Sequence, residues 1–428
     1  MSQQTDLYDL PLSTSSATAA EAYRSGVWRI LAAQAGMTGP FETAIANDPD
    51  FALAHAGLAR ARQYSGDVTG ARAAAAEASR LAPQTSAREQ SHIGAMAQLI
   101  TMQPEAYAAI RAHVADHPRD ALLAQTCSSI FGLIGFSGQP GREAELLAFN
   151  AGLLPHYGDD DWWCLSQYAF ALCETGRIDM ADRYIDRSLA LCPENANGAH
   201  IRSHVWYEAG EVDAGRRYLA DWLSGYDRSA MLHGHLSWHV ALWALEQGDS
   251  AQMWDIVDAD VSPGAAEGLP INVLTDTASI LYRAALAGEE VAPARWQRVS
   301  EYAAQFFPKC GNAFIDTHAA LAHAMAGATE PLQRIIDTPA GPAADLVPDL
   351  ARACRAITAG RWTMAETHLT AAMSDHARLG GSRAQRDLLE HALLSCLLKQ
   401  GRSDEARRLL QLRRPVLKGT RALHNLAV

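Results

Sequence analysis

The segment GDVTGARAAAAEASRLAP (66–83) decides the fold of this chain, because it sets a turn glycine, two small residues and a terminating proline at fixed distances. These positions are Gly66, Ala71, Ala78 and Pro83. The same order returns in GRIDMADRYIDRSLALCP (176–193). Pro49 and Pro118 lie about one helical hairpin before and after Pro83, and such a recurring spacing indicates a repeat protein.

Each of these residue types has a mechanical role in a helical hairpin. Glycine allows a tight link between two antiparallel helices, and alanine lets their backbones approach closely. Proline stops the second helix before the next hairpin begins. A single hairpin leaves an apolar face uncovered, so neighbouring hairpins must stack. The sequence therefore predicts an all-α solenoid with a concave and a convex side.

Composition narrows the possible partners. The 428 residues are 48% hydrophobic and carry a net charge of -12, with a pI near 5.7, which argues against nucleic acid and anionic membranes as partners. Seven cysteines without a Cys-x-x-Cys pair suggest a reducing cytoplasm. The first residues have neither a basic start nor an apolar core, and no later stretch is long enough to span a bilayer, so we expect no signal peptide or membrane anchor.

The repeat pattern also predicts how the chain is organised. We expect a single repeat domain over 1–428. Its predicted parts are a capping segment with the first helix (1–40), regular repeats (41–134), a degenerate repeat (135–161), repeats that carry a polar groove (162–415) and a C-terminal tail (416–428).

Four segments of the chain resemble one family. They are LPLSTSS (10–16), REQSHI (88–93), HLSWHVALWALEQGD (235–249) and LGGSRAQRDLLEHALL (379–394). In order and spacing they are similar to the family of tetratricopeptide repeat protein 38, and the likeness covers nearly the whole chain. The resemblance implies a tetratricopeptide-repeat-like α-solenoid, a right-handed superhelix that can curl around a central pocket, with the first helix of each hairpin on the concave side. It implies a shape and a set of residues, but no established activity.

Two histidine pairs are the strongest candidates for chemistry. His200 and His204 are four residues apart, as are His235 and His239, so each pair projects from one face of a helix. Both pairs lie ahead of a turn glycine, in the first helices of successive hairpins. Packed helices lie about 8–10 Å apart, so the four imidazoles can converge, together with Trp238 as a ligand-binding side chain.

Three interpretations of these histidines stay open at the level of sequence. Paired histidines one helical turn apart can coordinate zinc or another divalent ion, although no His-Glu-x-x-His motif is present. Neutral imidazoles can also act as acid and base in a metal-free pocket when a carboxylate orients them. Finally, the histidines can be packed side chains without a function.

Later first helices supply further catalytic candidates, namely Asp276, Asp316 and His318. Asp316 and His318 are only two residues apart, so they point in different directions on one helix and cannot form a dyad by themselves.

Two further groups are candidate ligand-binding residues. Gln385, Arg386 and Asp387 follow a glycine pair, where Arg386 could clamp a carboxylate or phosphate. The same run could instead cap a helix and form an interhelix salt bridge. Glu89 and His92 could form another polar wall or a pair at a helix start.

Two classes of function follow from these candidates. In the first, a groove lined by His, Asp and Trp binds a small polar ligand, with acid–base or metal-assisted chemistry of the hydrolase, lyase or isomerase kind. In the alternative, the protein is a non-catalytic adaptor that binds a peptide in the groove. No nucleophile elbow, phosphate loop or dinucleotide fingerprint is present, so a divalent metal such as zinc is the only cofactor considered. Whether the protein is an enzyme or a homo-oligomer stays open.

Overall fold

The computed structural model describes residues 3–413, and the predicted tail (416–428) lies outside this range. The described residues form 22 α-helices, and their sole β-type pairing is an isolated bridge between Thr5 and Pro11. The predicted all-α class is therefore confirmed. None of the described helices is long and apolar enough to cross a membrane.

The helices pair in chain order into antiparallel hairpins. The first half contains α1 (Ala17–Leu31) with α2 (Thr38–Asn47), α3 (Ala52–Tyr64) with α4 (Val68–Leu81), α5 (Ala87–Ile100) with α6 (Ala106–Asp116), α7 (Ala121–Ser128) with α8 (Arg142–Tyr157), and α9 (Trp162–Glu174) with α10 (Ile178–Leu191). The irregular stretch in this half is 129–141, between the short α7 and α8.

The same arrangement continues to the end of the described chain. The second half contains α11 (Ala196–Ala209) with α12 (Val212–Leu223), α13 (His233–Gln247) with α14 (Ser250–Ile256), α15 (Pro270–Leu286) with α16 (Pro293–Phe306), α17 (Ala313–Met325) with α18 (Thr329–Asp337), α19 (Val347–Thr358) with α20 (Trp362–Met373), and α21 (Arg383–Lys399) with α22 (Ser403–Arg413). A π-helical segment, Val257–Val261, extends α14.

Eight glycines hold the tight links of these hairpins, among them the predicted Gly66 and Gly176 and the glycines predicted after the two histidine pairs. The eight are Gly66, Gly176, Gly210, Gly248, Gly288, Gly327, Gly360 and Gly401, and all have positive φ between +67° and +92°. A side chain would be strained in this left-handed region, which explains the glycines. The prolines also act as predicted, since α2, α4, α6 and α10 each end two residues before one.

Inner and outer helices differ sharply in burial. Of the 15 residues of α13, 13 are buried, whereas only two of the 12 residues of α12 are. α9, α11, α15, α17 and α21 are also buried on most sides. A helix buried all round must lie inside the molecule. The concave side of the solenoid is therefore covered by the protein itself.

Contacts between distant hairpins explain this coverage. At the end of α1, the Leu31 carbonyl accepts from Asn197 Nδ2 at 2.8 Å, and the Ala32 carbonyl accepts from the Ala196 N–H at 3.0 Å. The Tyr226 hydroxyl donates to the Ala33 carbonyl. The superhelix thus curls until the first hairpin meets the start of α11.

The last hairpin closes the molecule from the other end, because α21 turns inward against α15 and α11. Two glycines permit this approach. A Cβ at Gly380 would lie 2.4 Å from the ring of Phe136, and one at Gly381 would lie 2.4 Å from the ring of Phe314. Both glycines have positive φ. The glycine pair therefore serves close packing of the backbone against aromatic rings.

Candidate functional site

The four paired histidines meet between the two helices that carry them. His200 and His204 project from α11, and His235 and His239 project from α13. Each of the four is at most 6% exposed. One nitrogen of each ring can be chosen so that all four lie within 4.8 Å of one another. We call these four residues the histidine cluster.

Three nitrogens of the histidine cluster converge closely. His200 Nε2 lies 2.8 Å from His204 Nε2 and 3.0 Å from His235 Nε2. With Zn–N bonds of about 2.0–2.1 Å, the ligand nitrogens of a tetrahedral site lie about 3.3–3.4 Å apart. The rings of His204 and His239 are also adjacent, with centroids 4.6 Å apart. The cluster is therefore close in geometry to a metal site with imidazole ligands.

Asp276 on α15 orients one of these rings. His235 Nδ1 lies 2.8 Å from Asp276 Oδ2, and because the carboxylate can only accept, Nδ1 carries the proton and donates it. The lone pair of His235 is then on Nε2, which faces His200. The ring of Trp238 stacks on the ring of His235, with centroids 5.3 Å apart, and helps to hold the imidazole in place. A carboxylate behind a histidine is the usual outer partner of a metal ligand.

Burial keeps three members of the histidine cluster uncharged. Burial lowers the pKa of His200, His204 and His239 well below the ordinary value, and neighbouring imidazoles lower it further. Burial raises the pKa of Asp276, although His235 and Gln385 act in the opposite direction. A neutral imidazole offers the lone pair that a metal ligand needs.

Several polar atoms of this group have no hydrogen-bond partner among residues 3–413. They are both ring nitrogens of His239, Nδ1 of His204 and Oδ1 of Asp276. Such buried groups ordinarily cost about 1–3 kcal/mol each. Their concentration at one point indicates a site for a further atom or molecule.

A deep cavity of about 220 Å³, which we call the central cavity, lies beside the histidine cluster. Among its lining residues are the apolar side chains Phe131, Phe136, Trp163, Phe170 and Leu269 and the polar side chains Arg60, Tyr64, Gln125, Gln167, Asn197 and Asn272. His200 and His235 also line it, whereas His204 and His239 lie behind them. A molecule in the central cavity can therefore reach two of the four imidazoles.

The other predicted catalytic residues on α17 are not in the cluster. Asp316 accepts a hydrogen bond from the Gly311 N–H at 3.1 Å and lies beside Cys310. His318 donates from Nδ1 to the Phe314 carbonyl at 2.7 Å, and its ring packs on Phe314. The structure therefore separates Asp316 and His318 from the histidine cluster, because α17 lies one hairpin beyond α15.

Two buried histidines of α17, His318 and His323, should make the stability of the protein depend on pH. Burial lowers the pKa of each to about 4, against about 6.5 in the unfolded chain. The unfolded chain then binds more protons below pH 6.5, so stability falls as the pH falls from about 6.5 towards 4. When the pH falls from 7.5 to 5, each of the two histidines should lower the free energy of unfolding by about 2 kcal/mol.

Urea unfolding at pH 7.5 and 5 checks this expectation. In the His323→Leu variant, the loss of unfolding free energy between the two pH values should be about 2 kcal/mol smaller than in the wild type. An unchanged loss would contradict the assignment of a neutral buried His323.

Glu89 and His92 belong to a different cluster. Glu89 closes a capping box with Ser86 at the start of α5. His92 Nδ1 donates to Asp120 Oδ2 at 2.9 Å. The same oxygen accepts from Arg88 at 3.0 Å and from His113 Nε2 at 3.1 Å. The nitrogens of His92 and His113 and an Asp120 oxygen lie within 4.8 Å of one another, but the Arg88 guanidinium already supplies a cation to that oxygen, so we interpret the group as a hydrogen-bonded ion pair.

The polar run on α21 is divided among three roles. Ser382 caps the helix, and Gln385 completes its capping box and faces Asp276. Arg386 pairs with Glu143 and donates to the Gly381 carbonyl. The Tyr207 hydroxyl donates to Asp387 Oδ2 at 2.8 Å. Arg386 thus lies in an interhelix ion pair, which was the alternative to the anion clamp, and it does not line the central cavity.

Sequence reasoning missed the polar residues at the N-terminal side of the central cavity. Arg60 NH2 donates to the Tyr64 hydroxyl at 2.6 Å and to Gln125 Oε1 at 2.9 Å. The four-residue spacing of Arg60 and Tyr64 on α3 was a possible signal. Nothing local indicated that α3 would face the histidines of α11 and α13.

No family model matches this chain. Its fold is similar to a structure of the human IFIT1 dimer with m7Gppp-AAAA, at 13% identity and a TM-score of 0.46, covering 100% of this chain and 98% of that one. Yeast Tom70 is similar at 12% identity and a TM-score of 0.35, over 96% and 94% of the two chains. Likenesses this distant concern the fold alone, and the family of tetratricopeptide repeat protein 38 stays a prediction.

Proposed function

We propose that this protein binds a small molecule in the central cavity, next to a divalent metal held by the histidine cluster. The convergence of three Nε2 atoms, one of them on a histidine oriented by Asp276, is the observation that carries the proposal. Four imidazole donors suit zinc among the common divalent metals.

Hydrogen bonding alone does not account for the three nitrogens. His235 Nε2 presents a lone pair, because its proton is on Nδ1. A single His200 Nε2–H could be donated either to His235 or to His204, but not strongly to both. One close nitrogen pair would then lack a proper hydrogen bond. A metal ion accepts lone pairs from all of them at once.

The proposed metal site borders the central cavity. His200 and His235 line the central cavity, while His204 and His239 complete the donor set from behind. A tetrahedral zinc site can expand to five ligands. A molecule in the cavity would approach the metal from the side of His200 and His235. There a metal would supply Lewis-acid polarisation, which fits hydrolysis, hydration or isomerisation.

The size and closure of the cavity favour a small molecule over a peptide. Its volume of about 220 Å³ is below the roughly 300–1,000 Å³ of typical ligand pockets. The inner helices α9, α11 and α13 are buried on most sides, so they offer little open groove for an extended chain. We therefore place the adaptor function second.

Metal analysis of untagged protein tests the proposal. We expect about one metal ion per chain by inductively coupled plasma mass spectrometry, and native mass spectrometry should show a mass that disappears on denaturation. Protein that is metal-free as purified should take up one equivalent of zinc. Failure to bind zinc in this titration would refute the metal site.

Asp276 supplies a sharper prediction. Asp276→Asn keeps the shape of the side chain but replaces a carboxylate acceptor by an amide, so His235 loses its orientation and basicity. Zinc affinity should fall about 10- to 100-fold, measured by competition with a chelator. Asp316→Asn, on the neighbouring inner helix α17, is the matched control and should leave the affinity unchanged. Equal zinc affinities in the wild type, Asp276→Asn and Asp316→Asn would exclude Asp276 from the site.

A further inference from the structure

We infer that the ligand of the central cavity is a small organic anion, whose carboxylate or phosphate is bound by Arg60 and whose apolar body lies among the aromatic rings. The inference rests on the proposed function, since it names the class of molecule that the cavity takes. It arises from the charges that line the cavity.

Arg60 is a half-buried cation without a counter-ion. Within residues 3–413 it pairs with no carboxylate, and its partners are the neutral groups of Tyr64, Gln125 and Gln63. Its guanidinium also stacks on the Tyr64 ring, with the central carbon 4.1 Å from the ring centroid. Arg60 Nε is buried without a hydrogen-bond partner. Such a guanidinium is held in place and retains donor capacity for an anion.

The surroundings of Arg60 leave its charge uncompensated. No Asp or Glu is among the described residues that line the central cavity, and Arg60 is their one formal charge. The whole chain has a net charge of -12, so a lining without acidic residues departs from the rest of the molecule. Two other buried arginines pair with carboxylates, Arg202 with Asp182 and Arg386 with Glu143, whereas the buried Arg283 donates to the Ser279 hydroxyl and the Ala384 carbonyl. A low-dielectric cavity with a lone cation favours an anionic ligand.

The remaining lining defines the rest of the ligand. Phe131, Phe136 and Phe170 offer apolar contact, and Gln167, Asn197 and Asn272 offer amide groups for orientation. His200 and His235 stand at the wall that carries the proposed metal. The ligand class is therefore a compact molecule with an anionic group, an apolar or aromatic body and a polar group for the metal.

Thermal shift and calorimetry with matched probes test the inference. We would use benzoate, 3-phenylpropionate and phenyl phosphate, each against a neutral counterpart, namely benzamide, 3-phenylpropionamide and phenol. Zinc-loaded wild-type protein should bind at least one anion more tightly than its neutral counterpart, and the carboxylate and phosphate arms identify the anionic group. No preference for any anion would overturn the inference.

Variants show whether Arg60 is the cause. Arg60→Gln should weaken binding of the preferred anion about 10- to 100-fold and leave its neutral counterpart unchanged. Arg72→Gln removes an exposed charge from α4 and should have no effect. A preference that persists in Arg60→Gln would place the anion on the metal and overturn the role of Arg60. If the zinc content is normal and Arg60→Gln does not change anion binding, this inference fails but the proposed function stands. If the wild-type protein takes up no zinc, the proposed function itself is refuted.

Discussion

Replacing His204 by alanine is expected to abolish high-affinity zinc binding. His204 contributes one of the three converging nitrogens, at 2.8 Å from His200 Nε2, and its side chain is 1% exposed. Alanine removes a donor that the buried site cannot replace with bulk water. The loss should therefore exceed the roughly 10- to 100-fold effect of losing an outer partner such as Asp276. Metal content after dialysis and a chelator competition would measure it.

His323→Ala is the matched control for this prediction. His323 is also a buried helical histidine, but it pairs with Ser300 at 2.8 Å on the other side of α17. This variant should keep its zinc, and metal-free His204→Ala should keep wild-type helical content in circular dichroism. If His204→Ala and His200→Ala both retain zinc, the ion binds elsewhere and the site is wrong. If wild-type protein binds no metal and His204→Ala mainly loses stability, the histidines are packing residues.

Arg142→Ala should produce the largest loss of stability among the changes considered, about 3–5 kcal/mol. Arg142 is 1% exposed and donates to the carbonyls of Gly135 at 3.1 Å, Gly381 at 2.8 Å and Ala377. Burial lowers its pKa to about 10, so it remains charged at neutral pH. It joins the irregular stretch 129–141 to the start of α21, and without it three carbonyl groups lose a donor.

Urea unfolding at pH 7.5 would measure this loss, with Arg378→Ala as the control. Arg378 joins the same two regions through Gly138 at 2.9 Å and also pairs with Asp345, but its side chain is 19% exposed. Because water can replace its contacts, its loss should cost no more than about 1 kcal/mol. Similar losses for the two variants would contradict the idea that buried Arg142 closes the superhelix.

Zinc should also protect the folded protein by mass action. With zinc at about 100 times its dissociation constant, unfolding free energy rises by about 2.7 kcal/mol. The gain should disappear in His204→Ala and persist in Arg60→Gln. This pair of results separates the metal site from the anion-binding residue.

Local sequence patterns were sufficient for the hairpins and for half of the candidate site. The turn glycines Gly66 and Gly176 and the prolines after α2, α4, α6 and α10 were predicted correctly, because a link of positive φ and a stopped helix depend on a few neighbouring residues. The approach of His200 and His204 to His235 and His239 followed from the four-residue spacing and from the hairpin phase. These features repeat at fixed distances along the chain.

Contacts across the axis of the superhelix were decided by tertiary structure alone. Asp316 and His318 share the inner position of Asp276, yet only Asp276 reaches the histidine cluster. Glu89 and His92 belong to a cluster around Asp120, and Arg60 enters the central cavity from α3. Small rotations between successive hairpins add up along a solenoid, so the residues that meet after a full turn depend on the whole curvature. The sequence determined the helices, their turns and the paired histidines, whereas the closure of the superhelix determined which side chains face them.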